Sequence, residues 1–156
     1  RTGACGRWGW RMPLAPDLVF SLGNAIVFAG WMILILLPRR FPLLNAVPKY
    51  AIPSLFGLVY AAITLSRFFG SGGGYGSLDA VRALFSTDEL LVAGWLHYLA
   101  FDLFVGCWIA EQADRMGLSR LIQAVILFTT FILPPVGLVL FLATRAAART
   151  ARRAAA

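Results

Sequence analysis

Long uncharged runs alternate along this chain with short stretches rich in charge, proline or glycine, and this alternation sets out its elements. Residues 18–37 carry no charge and are stopped by Pro38-Arg39-Arg40. A run of about 20 apolar residues crosses a bilayer as a helix, and a proline just past its end prevents continuation. Asp17 is placed to cap its start. Inside it, Ser21, Gly23 and Gly30 offer small surfaces for close helix contact, and Asn24 can bond across helices. Residues 41–49, with Pro42 and Pro48, read as a connection. A shorter second span, 50–66, follows between Lys49 and Arg67. Pro53 falls in its first turns, where proline costs little. Gly57, Tyr60 and Thr64 recur along one stripe that should face protein.

The glycine-rich residues 70–76 lack the Lys-Ser/Thr ending of a phosphate-cradling loop and follow a span rather than a strand, so they read as a flexible connection. Leu78, Val81, Leu84 and Phe85 then repeat at helical spacing with Asp79 and Arg82 opposite, predicting a short amphipathic helix on the membrane surface. Ser86-Thr87-Asp88-Glu89 has the form of a capping box opening a third span, 90–110. Residues 111–117 read as a polar turn closed by Gly117. The fourth span, 121–144, contains Thr129-Thr130 and Pro134-Pro135. Each proline removes an amide donor, so the Thr130 and Phe131 carbonyls need other partners at membrane depth.

The predicted architecture is therefore all-α, an integral membrane bundle of four transmembrane helices with a short interfacial helix between the second and third. Residues 1–16, with Trp8 and Trp10, form an interfacial arm; residues 17–144 form the membrane domain; residues 145–156 form a basic Ala/Arg tail. Composition agrees, since 60% hydrophobic and 13% charged residues with a mean hydropathy of +0.77 exclude an ordinary soluble domain. The net charge of +7 could point to nucleic acid. The basic residues instead stand between and beyond the apolar runs, where lipid headgroups meet them, and no nucleic-acid partner is expected. Four crossings put both termini on one side. That side would hold nine arginines against five basic residues in the two short loops opposite, so both ends are expected to be cytoplasmic or stromal. Cys5 and Cys107 have neither metal-ligand nor redox spacing, and this topology keeps them apart. The chain starts at Arg1 rather than at a methionine, which leaves room for a processed targeting segment or a tail upstream.

The third span holds the candidate chemistry. It places His97, the single histidine, and Asp102 inside hydrocarbon, where a carboxylate costs several kcal/mol unless paired, hydrogen-bonded or protonated. At about 100° per residue, Trp95, Tyr98 and Asp102 share one face while His97, Phe101, Phe104, Trp108 and Glu111 share another. Asp102 and His97 thus diverge by about 140°, whereas Tyr98 and Asp102, four apart, can bond directly. Two readings follow for Asp102. It either ties helices together through a polar group such as Asn24, Tyr60 or Thr129, or serves as an acid at the midplane. One histidine with scattered acids does not build a metal site. The aromatic faces suit a long planar or polyene ligand.

Phe20-Ser21-Leu22-Gly23-Asn24 with Gly30-Trp31 and Pro38-Arg39-Arg40, Tyr75-Gly76-Ser77-Leu78 with Val81-Arg82-Ala83-Leu84-Phe85, and above all the motif Gly94-Trp95-Leu96-His97-Tyr98-Leu99-Ala100-Phe101-Asp102-Leu103-Phe104-Val105-Gly106 resemble the abscisic-acid-deficient-4-like family. The resemblance covers residues 16–144; Cys107 and residues 109–115 look less like the family. It implies a small four-helix membrane protein. Plant members of the family are needed to form neoxanthin from violaxanthin, a xanthophyll, in plastids. The implied activity is a redox-neutral carotenoid epoxide isomerase, opening the epoxide to an allene without metal or required cofactor. Asp102 and His97 would be its acid and base and Tyr98 a catalytic partner. The expected pigment contacts are Asn24, Trp31, Tyr60, Trp95, Phe101, Phe104 and Trp108, with carotenoid and chlorophyll as candidate ligands. The expected location is a plastid thylakoid or envelope, or a bacterial inner membrane.

A competing reading is a non-catalytic pigment-binding subunit of a photosystem or light-harvesting complex, with His97, Asn24, Glu111 or a backbone carbonyl on chlorophyll magnesium. A transporter or assembly factor is a third; the absence of an inverted repeat argues against transport.

Overall fold

A computed structural model describes residues 15–154. The expected arm with Trp8 and Trp10, and Cys5, lie outside the described residues. The described chain is helical, as its hydropathy pattern predicts. Among the described residues, three stretches are long and apolar enough to cross a membrane: Pro16–Leu36, Pro42–Gly70 and Asp88–Arg115.

The first helix, α1 (Pro16–Leu36), opens with Pro16 in its first turn, where the fixed φ suits a helix start. Asp17 does not cap it. The cap position is Ala15 and makes no side-chain bond, so Asp17 acts only through its charge near the helix N-terminus. The expected connection 41–49 is instead helical. Pro42 starts a short α2 (Pro42–Ala46), and a π-helical turn (Val47–Ala51) carries the chain into α3 (Ile52–Arg67). Pro48 has no amide hydrogen to donate, and a wider turn accommodates that missing bond. A short helix α4 (Leu78–Leu84) follows the glycine-rich loop, with the Ser77 hydroxyl accepting from the Ala80 amide at 3.1 Å and Leu84 buried.

Helix α5 (Asp88–Arg115) is longer than the 90–110 of the sequence reading. No capping box opens it: Thr87 holds the cap position without a side-chain bond, and the Ser86 hydroxyl turns back to the Ala83 carbonyl at 2.7 Å. The stretch expected as a polar turn continues the helix because its acids find partners, Glu111 with Lys49 and Asp114 with Arg39. Gly117, at φ +71°, then stops it as expected. The Leu118 amide bonds the Ala113 carbonyl at 3.1 Å and the Gly117 amide bonds the Asp114 carbonyl at 3.0 Å, the bond pair of a glycine-terminated helix.

Residues 121–144, expected as one span, form two helices, α6 (Arg120–Ile132) and α7 (Pro134–Ala154), that meet at Leu133. The chain reverses there. Gly137 packs directly on the Thr130 backbone, Phe141 stacks edge-on against Trp108 at 5.6 Å, and Arg145, Ala148 and Arg149 reach Gln112, Arg115 and Met116 at the end of α5. Since α6 starts beside that same end, α6 and α7 form a hairpin. α6 is 13 residues long, about 20 Å, short of a hydrocarbon core of about 30 Å. The Leu133 amide still reaches the Thr129 carbonyl at 2.8 Å and the Thr130 hydroxyl bonds the Ile126 carbonyl at 2.8 Å. With this hairpin, α7 returns to the end where α1 and α5 finish. The described chain therefore starts and ends at opposite ends of the bundle, unlike the expected arrangement with both termini together. The expected tail is helical through Ala154.

Helix α5 is the centre of the packing. Gly23 and Gly30 let α1 lie against Leu96 and Leu103, and Trp31, 2% exposed, fits over Gly106 and against Phe131 at 5.6 Å. A Cβ at Gly106 would overlap the Trp31 ring. Gly106→Val is thus expected to destabilise the protein by about 1–3 kcal/mol through overpacking, read as a lowered thermal midpoint in detergent.

One end of the bundle is tied by a polar network. Arg39 Nη1 donates to Asp114 Oδ2 at 2.7 Å, to Gln123 Oε1 at 2.7 Å and to the Ala110 carbonyl at 2.9 Å; Gln123 Nε2 donates to Asp114 Oδ1 and the Leu118 carbonyl, both at 2.9 Å. Arg120 Nη2 donates to the Leu37 carbonyl at 3.0 Å, closing the end of α1.

Candidate functional site

Helices α3 and α5 run antiparallel and are pinned at both ends, by Lys49–Glu111 at one and by Arg67–Glu89 at 3.4 Å at the other. Between the pins, small and aromatic side chains leave a groove of about 550 Å³. Tyr50, Gly57 and Tyr60 line it from α3 and the turn before it, and His97, Phe101 and Phe104 line it from α5. From Tyr50 to Tyr60 the groove follows ten residues of helix, about 15 Å. The stripe Gly57, Tyr60, Thr64 read from the sequence is the wall of this groove and of the cavity beyond it.

That cavity, about 190 Å³, lies under the glycine-rich loop and is bounded by Thr64, Tyr75, Leu84 and Phe85. Tyr60 and His97 line both spaces. Their rings stand 5.2 Å apart, with Phe101 a further 4.7 Å from the imidazole. The Tyr75 phenol lies beside that of Tyr60, and its ring stacks on Phe68 at 5.8 Å. Tyr75 is 69% exposed; slight desolvation, with Tyr60 beside it, holds its phenol above the ordinary tyrosine range, so it remains an O–H donor at neutral pH. The Thr64 hydroxyl is enclosed with no hydrogen-bond partner among the described residues. An apolar channel thus ends at two phenols, a threonine and an imidazole.

A family model described as ABA DEFICIENT 4-like matches residues 18–141. The chain belongs to this family. The match spans most of the chain and includes both walls of the groove. The ABA DEFICIENT 4-like family is associated with neoxanthin and abscisic acid biosynthesis. No curated protein and no solved structure matches the chain.

The site residues named from the sequence fall into separate places in this ABA DEFICIENT 4-like chain. His97, Tyr60, Phe101 and Phe104 come together on the groove. Asp102 and Tyr98 stand on the other face of α5, as the helical spacing requires. The Asp102 carboxylate lies beside the Tyr98 hydroxyl, and among the described residues no hydrogen bond to Asn24, Tyr60 or Thr129 ties it across helices. Asn24 instead accepts from Trp95 Nε1 at 3.2 Å while donating to the Phe20 carbonyl at 2.8 Å. Trp95 stacks on Phe20 and Tyr98 at the α1 side. Trp31 is core, and Trp108 packs on Phe141 of α7, away from the groove. Sequence reasoning missed Tyr75 as a site residue: nothing in a glycine-rich loop tells that its tyrosine reaches back to α3.

Proposed function

We propose that this ABA DEFICIENT 4-like protein takes a xanthophyll lengthwise into the α3–α5 groove and isomerises its epoxide end ring, forming neoxanthin from violaxanthin. The observation that supports this is the junction of a long apolar groove with a polar cluster at Tyr60 and His97. Polyene on Phe101 and Phe104 would place the oxygen-bearing ring beside Tyr60, Tyr75 and Thr64.

The reaction moves a proton and no electrons to an acceptor. One C–O bond of the epoxide breaks, the hydrogen on the adjoining chain carbon leaves as a proton, its electron pair forms the new cumulated double bond, and the epoxide oxygen becomes a hydroxyl. His97 is the base for the departing proton. The Tyr60–Tyr75 pair supplies the proton to oxygen, and the base returns its proton to that pair. Asp102, on the other face, has a packing role with Tyr98. The basic end of the bundle, with Arg39, Arg40, Lys49, Arg115 and Arg120, would face stroma or cytoplasm, in a carotenoid-bearing plastid or bacterial membrane.

Expression in a violaxanthin-accumulating host tests this reading. Neoxanthin is expected with the natural chain, a drop of about 10²-fold with His97→Ala, and near-natural yield with Asp102→Asn. Unchanged yield with His97→Ala would refute the assignment. A purified chain carrying stoichiometric chlorophyll and leaving the host's xanthophylls unaltered would favour the pigment-subunit reading, to which the exposed His97 imidazole is equally open.

A further inference from the structure

We propose that the pocket between the end of α5 and the returning α7 binds the anionic headgroup of a membrane lipid. Arg115 comes from the last turn of α5, while Arg145 and Arg149 stand four residues apart on α7; with Gln112, Met116 and Ala148 they enclose about 130 Å³. Like charges at this spacing repel, and the third guanidinium adds to that repulsion. Among the described residues no carboxylate pairs with any of the three. The acids of the same turns are committed elsewhere, Glu111 to Lys49 and Asp114 to Arg39.

An oxyanion in the pocket turns this repulsion into attraction. A phosphate or sulfonate group offers the planar fork of arginine two acceptor oxygens, and Gln112 adds an uncharged donor. The source is a lipid because of what lies beside the pocket. Met116 and Ala148 give it an apolar edge, and the turns of α7 leading to it expose Val136, Val139, Leu140 and Leu142. An acyl chain hanging from the bound headgroup would cover that surface. The site is also placed to matter, since α7 is the returning arm of the hairpin and a headgroup shared by Arg115, Arg145 and Arg149 ties it to the central helix.

The test uses the full chain in nanodiscs of phosphatidylcholine with a minor fraction of phosphatidylglycerol, released for native mass spectrometry. A single retained phosphatidylglycerol is expected. Retention should fall by about tenfold or more in the double variant Arg145→Gln, Arg149→Gln, fall less in Arg145→Lys, Arg149→Lys, which keeps the charge but loses the fork, and be unchanged in Arg153→Gln, which lies outside the pocket. Should the double glutamine variant fail to fold, Arg115→Gln alone is read and is expected to lose the lipid. Equal retention of phosphatidylcholine, or retention unaffected by the glutamine variants, overturns the proposal. Displacement of the lipid by millimolar inorganic phosphate assigns the pocket to a soluble anion and overturns it as well.

Discussion

Arg39→Met is expected to lower resistance to unfolding by about 2–4 kcal/mol, with a matching fall in the yield of folded protein. One guanidinium nitrogen holds Asp114, Gln123 and the Ala110 carbonyl together, linking the end of α1 to α5 and α6. Gln123 is 2% exposed, so losing its partner strands a buried amide oxygen. Asp114 reaches solvent at 41% exposure, which keeps the loss at the lower part of the range for broken ion pairs. The neighbouring Arg40 sits on the exposed surface over the Phe41 ring at 5.0 Å, and Arg40→Met is expected to cost less than about 1 kcal/mol. Denaturation followed by circular dichroism in detergent separates the two. Equal losses would show that the network does not hold the helices together.

Gly57→Trp is expected to cut xanthophyll conversion by about 10- to 100-fold while leaving stability near natural. A Cβ at Gly57 meets nothing within 4 Å, so an indole there projects into the groove without displacing core atoms. Leu58→Trp changes the adjacent exposed position and should leave conversion intact. Product analysis alongside thermal unfolding checks both. Lost conversion with retained stability assigns the groove to substrate, whereas retained conversion would place the substrate elsewhere.

What could be read from the residues was whatever depends on local spacing. The apolar runs 18–37, 50–66 and 90–110 located the three stretches long enough to cross a membrane, and Gly117 was legible as a helix stop, although α5 runs on past 110 to Arg115. The angle between positions 97 and 102 separated two faces that the fold does keep apart. What depends on meetings across the chain was hidden. Arg39 lies 75 residues from Asp114 and 84 from Gln123, and no local pattern announces that pairing. Without it, residues 111–115 looked like a turn. Pro134-Pro135 marked a break, but the direction after it was set by Gly137 seating on Thr130, a contact that period counting does not give. Asp102 drew attention as a charge in an apolar run. The groove formed one face away, where Gly57 leaves room beside aromatic walls and a loop tyrosine closes one end.

The most direct measurement is a structure of the chain with violaxanthin bound in a lipid nanodisc. The expected result is polyene density between α3 and α5, crossing Gly57 and Phe104, with the epoxide ring within hydrogen-bonding reach of Tyr60 and His97. Density along the Trp95–Asp102 face instead, or none between α3 and α5, would contradict it.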